Sequence, residues 1–362
     1  MTRLLRSLPI VAVAALVILA GCKGPGGSSP APGGFPALTP SGDHAQYVVV
    51  GDACTTNGAV ITYNLGNGTT PLAGNLAPLY DVVGATTHLS QPFNVYIDFN
   101  GNKWASNYGN ASVTKYTVTA NGNATPTTIS GALTGFAGPT GIYVQQNIQG
   151  VNIWLYVADY SKNQIDVFAL PATGNVAPTY IIKDSSAKLV NPEALTLDSS
   201  GNIWVANAGS GTLEKFTSVG GLTAGTNIIA PLQTIGPAGS SGLGADVTGV
   251  YVGPNGNIWA TDYTHASVVE FLPSTNGTTT APILTIAGAS TTISEPYNVA
   301  VDSGGNVYEV GYNYAAVNIW AASALAAGAN NVAPTYTIAG PATKLVCPAG
   351  LQVNSITNGV DP

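Results

Sequence analysis

A proline preceded by Ala or Thr returns six times along this chain, at Pro78, Pro126, Pro178, Pro231, Pro282 and Pro334, at intervals of 48, 52, 53, 51 and 52 residues. Each opens a short apolar run: "PLYDVVG", "PTTISG", "PTYIIK", "PLQTIG", "PILTIAG" and "PTYTIAG". Four follow an Asn at similar spacing, in "GNLAP", "GNATP", "GNVAP" and "NNVAP". A unit of this length cannot bury its own apolar face. It must stack against copies of itself, so the period predicts an array or a ring.

Three further elements keep the same phase. One alternates from a Pro or Val: "PFNVYID", "PTGIYVQ", "PEALTLD", "VTGVYVG", "PYNVAVD" and "PAGLQVN". A Gly-Asn turn then leads into "KWASNY", "LYVADY", "IWVANA", "IWATDY" or "VYEVGY", and a third run closes on Tyr116, Phe168, Phe216, Phe271 or Trp320. Period-two alternation of β-branched and aromatic residues between Gly, Asn and Pro marks strands. Four strands in about 50 residues make a propeller blade. The first copy starts at the second-strand position, "AQYVVVGD" (Ala45–Asp52), and the last, "PAGLQVN", is a first strand alone. Together they complete one blade. The expected fold is an all-β, six-bladed β-propeller closed by the C-terminal strand joining the N-terminal blade, which removes the open edge of a linear array. Cys54 follows the second strand of that blade and Cys347 precedes its first, so antiparallel pairing predicts a Cys54–Cys347 disulfide.

Composition excludes one class of partner. Ten Lys and Arg against seventeen Asp and Glu give a net charge of −7, which excludes a basic nucleic-acid binder. The 44 Gly and 24 Pro favour turns over long helices. The Ala-rich "AASALAAGAN" (Ala321–Asn330) reads as a decorated loop.

The N-terminus reads as a targeting segment: Arg3 and Arg6, an apolar run from Leu8 to Ala20 too short for a comfortable span, then "LAGC". That close resembles a bacterial lipobox, which implies lipidation at Cys22 and an anchored, extracytoplasmic protein in the cell envelope, on the outer membrane or facing the periplasm. Residues 1–21 are then a signal peptide, 22–42 a lipidated Cys with a Gly/Ser/Pro-rich spacer, and 43–362 the propeller.

"PEALTLDSSGNIWVANAGSGTLEKF", "VTGVYVGPNGNIWATDYTHASVVEF" and "PYNVAVDSGGNVYEVGYNYAAVNIW" resemble the NHL-type repeat over Ala45–Asn354. The likeness implies a six-bladed propeller and says little about activity. It departs at Asn107, Asn207 and Gly311, where Asp159 and Asp262 carry the usual acid, and at Val247, where Pro is usual.

The first-strand starts and the loops between second and third strands should open on one face of the ring. His88, Glu193, Asp246, Asn94, Glu295 and Asn298 fall at the former, and Asp52, Asn107, Asp159, Asn207 and Asp262 end the second strands. Tyr108, Tyr160, Tyr263 and Tyr312 follow at equivalent positions, a ring of amphipathic surfaces for a glycan, peptide or protein ligand. The expected role is binding or scaffolding at this channel mouth. The alternative is a metal-dependent lyase or lactonase-like hydrolase. Similarity to gluconolactonase and virginiamycin-type lyases implies a divalent cation such as calcium there, with Glu193, Asn207 and Asp246 as oxygen donors and His265 as a base. Against it stands a structural role for the recurring Asp and Asn, whose side chains satisfy turn amides. No nucleophile elbow, phosphate loop or His-Glu-x-x-His pattern occurs.

Overall fold

The computed structural model describes residues 47–353 except 55–56, 67–69, 148 and 238–240. The leader, Cys22, the spacer and the ends of the predicted propeller segment lie outside the described residues. The ring has six sheets, each with four antiparallel strands. Blade 1 contains β1 (Tyr47–Asp52), β2 (Ala59–Asn64) and β3 (Tyr80–Val83). Blade 2 is β4 (Pro92–Ile97), β5 (Lys103–Asn107), β6 (Ser112–Tyr116) and β7 (Thr127–Ser130). Blade 3 is β8 (Pro139–Gln146), β9 (Asn152–Asp159), β10 (Gln164–Ala169) and β11 (Tyr180–Asp184). Blade 4 is β12 (Pro192–Leu197), β13 (Ile203–Asn207), β14 (Thr212–Phe216) and β16 (Gln233–Ile235), with β15 (Gly225–Ile229) reaching back to pair with β11. Blade 5 is β17 (Val247–Val252), β18 (Ile258–Asp262), β19 (Ser267–Phe271) and β20 (Leu284–Ala287). Blade 6 is β21 (Pro296–Val301), β22 (Val307–Gly311), β23 (Tyr314–Trp320) and β25 (Tyr336–Ala339), with β24 (Gly328–Asn330) pairing with β20. The end of the Ala-rich loop is therefore a short fifth strand of blade 5. Strand β26 (Pro348–Val353) pairs with β1 and completes blade 1, and Cys54 and Cys347 are disulfide-bonded beside that junction.

Alternation along each strand sends side chains to both neighbouring blades. In β13 and β14, Ile203, Val205 and Phe216 pack towards blade 3, and Trp204, Ala206 and Leu213 towards blade 5. All six are essentially buried, and the two faces of one blade thus belong to two cores.

A glycine before each repeat proline, followed by Asn in three of the six, forms a strap. Gly74, Gly122, Gly174, Gly225, Gly277 and Gly328 all have positive φ, which suits Gly alone at low cost. Each donates its N–H to the outermost strand of the preceding blade, as Gly174 does to the Thr128 carbonyl at 2.7 Å and Gly74 to that of Thr337 at 2.7 Å. Every outer edge is thereby covered by the next blade. In four straps an Asn then locks the neighbour's turn: the side-chain oxygens of Asn75, Asn123, Asn175 and Asn331 accept N–H bonds from Ala342, Thr86, Leu133 and Ser290.

Near the axis the blades alternate in size. A side-chain carbon on Gly141, Gly249 or Gly350 would stand 2.8, 3.0 or 2.7 Å from the Cα of Ala194, Asn298 or Asn94 in the next blade. Backbones can approach this closely only because those three residues lack a side chain. Gly141→Ala is expected to lower stability by about 1–3 kcal/mol through overpacking, measured by urea unfolding, and a neutral result would refute the close packing.

Three buried carboxylates sit inside blades. Asp166 accepts from Gln164 at 2.8 Å, Glu214 from Asn207 at 3.4 Å, and Glu309 from Asn318 at 3.2 Å and from Tyr314. Each keeps one buried oxygen without a hydrogen-bond partner among the described residues. Burial, then the charge of Asp159, pushes Asp166 up to about 7; burial, then Asp184, pushes Glu214 to about 8; burial pushes Glu309 to about 7. The folded state therefore holds protons that the unfolded chain releases near pH 4. Their contribution to stability is complete below that pH and is lost as pH rises through 7 and 8. The melting temperature should be higher at about pH 5 than at about pH 8.5, with a smaller difference in Glu214→Gln and Glu309→Gln.

Candidate functional site at the channel mouth

Each first strand starts with a register shift against the second strand, next to Pro92, Pro139, Pro192, Val247, Pro296 or Pro348. Such a bulge leaves an extra residue unpaired and re-aims its side chain. In ring order from blade 1, the residues after those positions are Ala349, Phe93, Thr140, Glu193, Thr248 and Tyr297. Small and large side chains alternate. Thr140 and Thr248 turn aside, donating to the carbonyls of Pro192 and Pro296 in the next blade at 2.7 and 2.9 Å. The three large side chains meet over the axis instead: the Phe93 and Tyr297 rings are 5.5 Å apart, and the Tyr297 hydroxyl is hydrogen-bonded to Glu193.

Three of the four predicted tyrosines join this centre or its rim. Tyr312 stacks on Phe93 at 6.2 Å, lies 5.9 Å from Tyr297, and sets its hydroxyl 3.4 Å from Cys54 Sγ. Tyr108 meets Phe93 edge-on at 5.4 Å, and Tyr160 meets Tyr108 at 6.1 Å. Tyr263 is bonded to Glu295, which also accepts from Asn313. Phe93 and Tyr297, the two rings at the centre, were absent from the predicted ligand-binding set. The signal for them was their phase, since they occupy the same slot as Glu193.

Two acids of the mouth are shifted upward by burial. Burial first, then the charge of Asp246, pushes Glu193 up to about 8 despite its bond to Tyr297. Burial, then Asp262, raises Asp246. Glu193 Oε2 and Asp246 Oδ1 are buried without a partner among the described residues.

The expected metal set is Glu193, Asn207 and Asp246. Asn207 is fully buried within blade 4, where its amide nitrogen donates to Thr212 at 3.3 Å and to Glu214 at 3.4 Å. Its side-chain oxygen stays buried without a hydrogen-bond partner among the described residues, as do Glu193 Oε2 and Asp246 Oδ1. Among the described residues no three His, Cys, Asp or Glu side chains converge to hold a metal. The three predicted oxygen donors are of the kind that a hard divalent cation takes.

Most other candidates are structural. Asp52 accepts from Val346 and Cys347, Asn107 from Ser90, Asp159 from Ala137, and Asp262 from Gly244, each tying down the loop before its own first strand. Asn94 and Asn298 accept from the next backbone N–H, and His88 ends a 3-10 turn with its carbonyl bonded to Asn110. His265 Nδ1 is 2.8 Å from Asp262 Oδ2, with the ring 54% exposed beside Gly244. Its partners belong to the rim of blade 5.

The solved structures similar to this one are propellers of low identity. A protein of unknown function from Bacteroides caccae aligns at TM-score 0.57 and 8% identity, covering 85% of this chain and 98% of its own. A chain of a nidogen/laminin complex aligns at 0.55 and 13%, covering 84% and 97%. A Bacteroides fragilis protein provisionally assigned as a 6-phosphogluconolactonase aligns at 0.50 and 16%, covering 87% of each. Identities this low speak to fold alone. Comparison with curated proteins gives no significant match. Residues 40–236, more than half of the chain, match the family model of the SMP-30/gluconolactonase/LRE-like region. The chain belongs to the SMP-30/gluconolactonase/LRE-like family.

Proposed function

We propose that the protein is a lipid-anchored, extracytoplasmic propeller with NHL-type repeats that binds a glycan or peptide ligand at its channel mouth. The observation that carries this reading is the continuous aromatic surface of Tyr160, Tyr108, Phe93, Tyr297 and Tyr312, gathered from blades 2, 3 and 6. Aromatic rings with hydroxyl handles give large contact area at low conformational cost. The anchor rests on the lipobox-like "LAGC", and no helix among the described residues is long and apolar enough to cross a membrane.

A second reading, a lactonase- or lyase-like enzyme, draws support from the family match and from Glu193. A buried carboxyl group titrating at about 8 can donate a proton at neutral pH, as a general acid must.

The two readings separate experimentally. A glycan and peptide array probed with the mature protein should show ligands whose signal falls at least about tenfold in folded Phe93→Ala/Tyr312→Ala, the loss of two aromatic contacts. Hydrolysis of a δ-lactone should stay at the buffer rate. Lactone hydrolysis that disappears in Glu193→Gln, with an empty array, would overturn the binding reading in favour of the enzyme. Labelled palmitate should enter the wild-type protein in a lipoprotein-processing bacterium and fail to enter Cys22→Ser.

A further inference from the structure

On the face opposite the mouth, a groove of about 430 Å³ lies between the hairpins of blades 5 and 6. Trp259, Leu284, Val301, Leu325 and Ala326 form its apolar walls, Glu270 stands among them, and no Lys, Arg or His lines it. Leu325 and Ala326 come from the Ala-rich loop, which β24 ties to the edge of blade 5.

The repeat itself says what this groove lacks. In blades 2 and 4 the corresponding tryptophan faces a lysine across the sheet: Trp104 pairs with Lys115, and Trp204 with Lys215. The lysine nitrogens lie over those rings at 5.0 and 5.6 Å, within cation–π range. An acid completes each set. Asp98 accepts from Trp104 Nε1 at 3.1 Å, and Asp198 pairs with Lys215 at 2.9 Å. In blade 5 the same register pairs Trp259 with Glu270, and Gly253 stands where the hairpin aspartate would be. Trp259 Nε1 is buried without a hydrogen-bond partner among the described residues. The ring and a carboxylate are present without a lysine, the carboxylate accepts from Asn257 at 2.7 Å and from Asn255 at 3.4 Å, and the groove lies beside them.

We propose that this groove binds a free alkylammonium ligand, its ammonium group over the Trp259 ring beside Glu270 and its alkyl stem along Leu284, Leu325 and Ala326. The ligand supplies what Lys115 and Lys215 supply from within the chain. The proposal is independent of the reading of the channel mouth.

The test uses 1-aminopentane as probe and the indole N–H signal of Trp259, assigned through Trp259→Phe, as readout. A saturable shift of that signal is expected with 1-aminopentane and not with pentan-1-ol. Glu270→Gln should weaken binding by about tenfold or more, as a charge partner is lost beside a cation–π contact. Glu270→Lys puts a lysine in the register position that Lys115 and Lys215 hold, so in the folded variant it should abolish binding. The proposal is overturned by equal binding of the alcohol, by a folded Glu270→Lys that still binds the amine, or by the absence of a saturable Trp259 shift. A response only to a lysine-containing peptide, with the free amine silent, would also overturn it.

Discussion

Everything in this propeller depends on how closely its blades approach one another at the axis. Gly141, Gly249 and Gly350 lie nearly on the backbone of the following blade, so that blades 3, 5 and 1 press against blades 4, 6 and 2. Backbone approach through a missing side chain thus recurs at every second junction of the ring. The same alternation fixes the neighbouring slot, where Ala349, Thr140 and Thr248 leave room for Phe93, Glu193 and Tyr297. Hairpin chemistry follows the pairing as well. Asp98, Asp198 and Asp302 cap the turns of blades 2, 4 and 6 through Asn102, Asn202 and Asn306, and Gly253 breaks the pattern in blade 5.

Much of this was legible in the sequence because repeats average out local ambiguity. Six in-phase prolines defined the blades, the incomplete first and last copies defined the closure of β26 on β1, and the two cysteines fell where that closure required. The Gly-Asn before three of the prolines was visible as a motif, but not as a strap. Its job is to satisfy the outer strand of a different blade, and a contact between units is not written in the spacing within one. The channel centre was missed for a related reason. Phe93 and Tyr297 look like ordinary strand residues until the bulge after each proline turns them to the axis. Only the fold reveals that Glu214, seven residues on, holds the Asn207 amide nitrogen inside the blade.

The parts of the chain with functional character are those where one blade departs from its siblings. Glu193 occupies a slot that its two pseudo-equivalents fill with aromatic rings, which leaves a protonated carboxyl group inside an aromatic mouth. Glu270 occupies a slot that two blades fill with lysine, which leaves an acid in register with the Trp259 indole at the edge of a groove. In both places the scaffold is unchanged and only the chemistry differs, as expected when sites are built on a fold shared by proteins with unrelated activities.

The central claim is the proposed reading, in which the mouth binds its ligand through Phe93, Tyr297 and Tyr312 and Glu193 is held by the Tyr297 hydroxyl in place of a cation. A crystal structure of the mature protein grown with calcium tests it most directly. The expected result is Phe93, Tyr297 and Tyr312 gathered over the axis, Tyr297 bonded to Glu193, and no cation between Glu193 and Asp246. A calcium ion bridging those two carboxylates would contradict it.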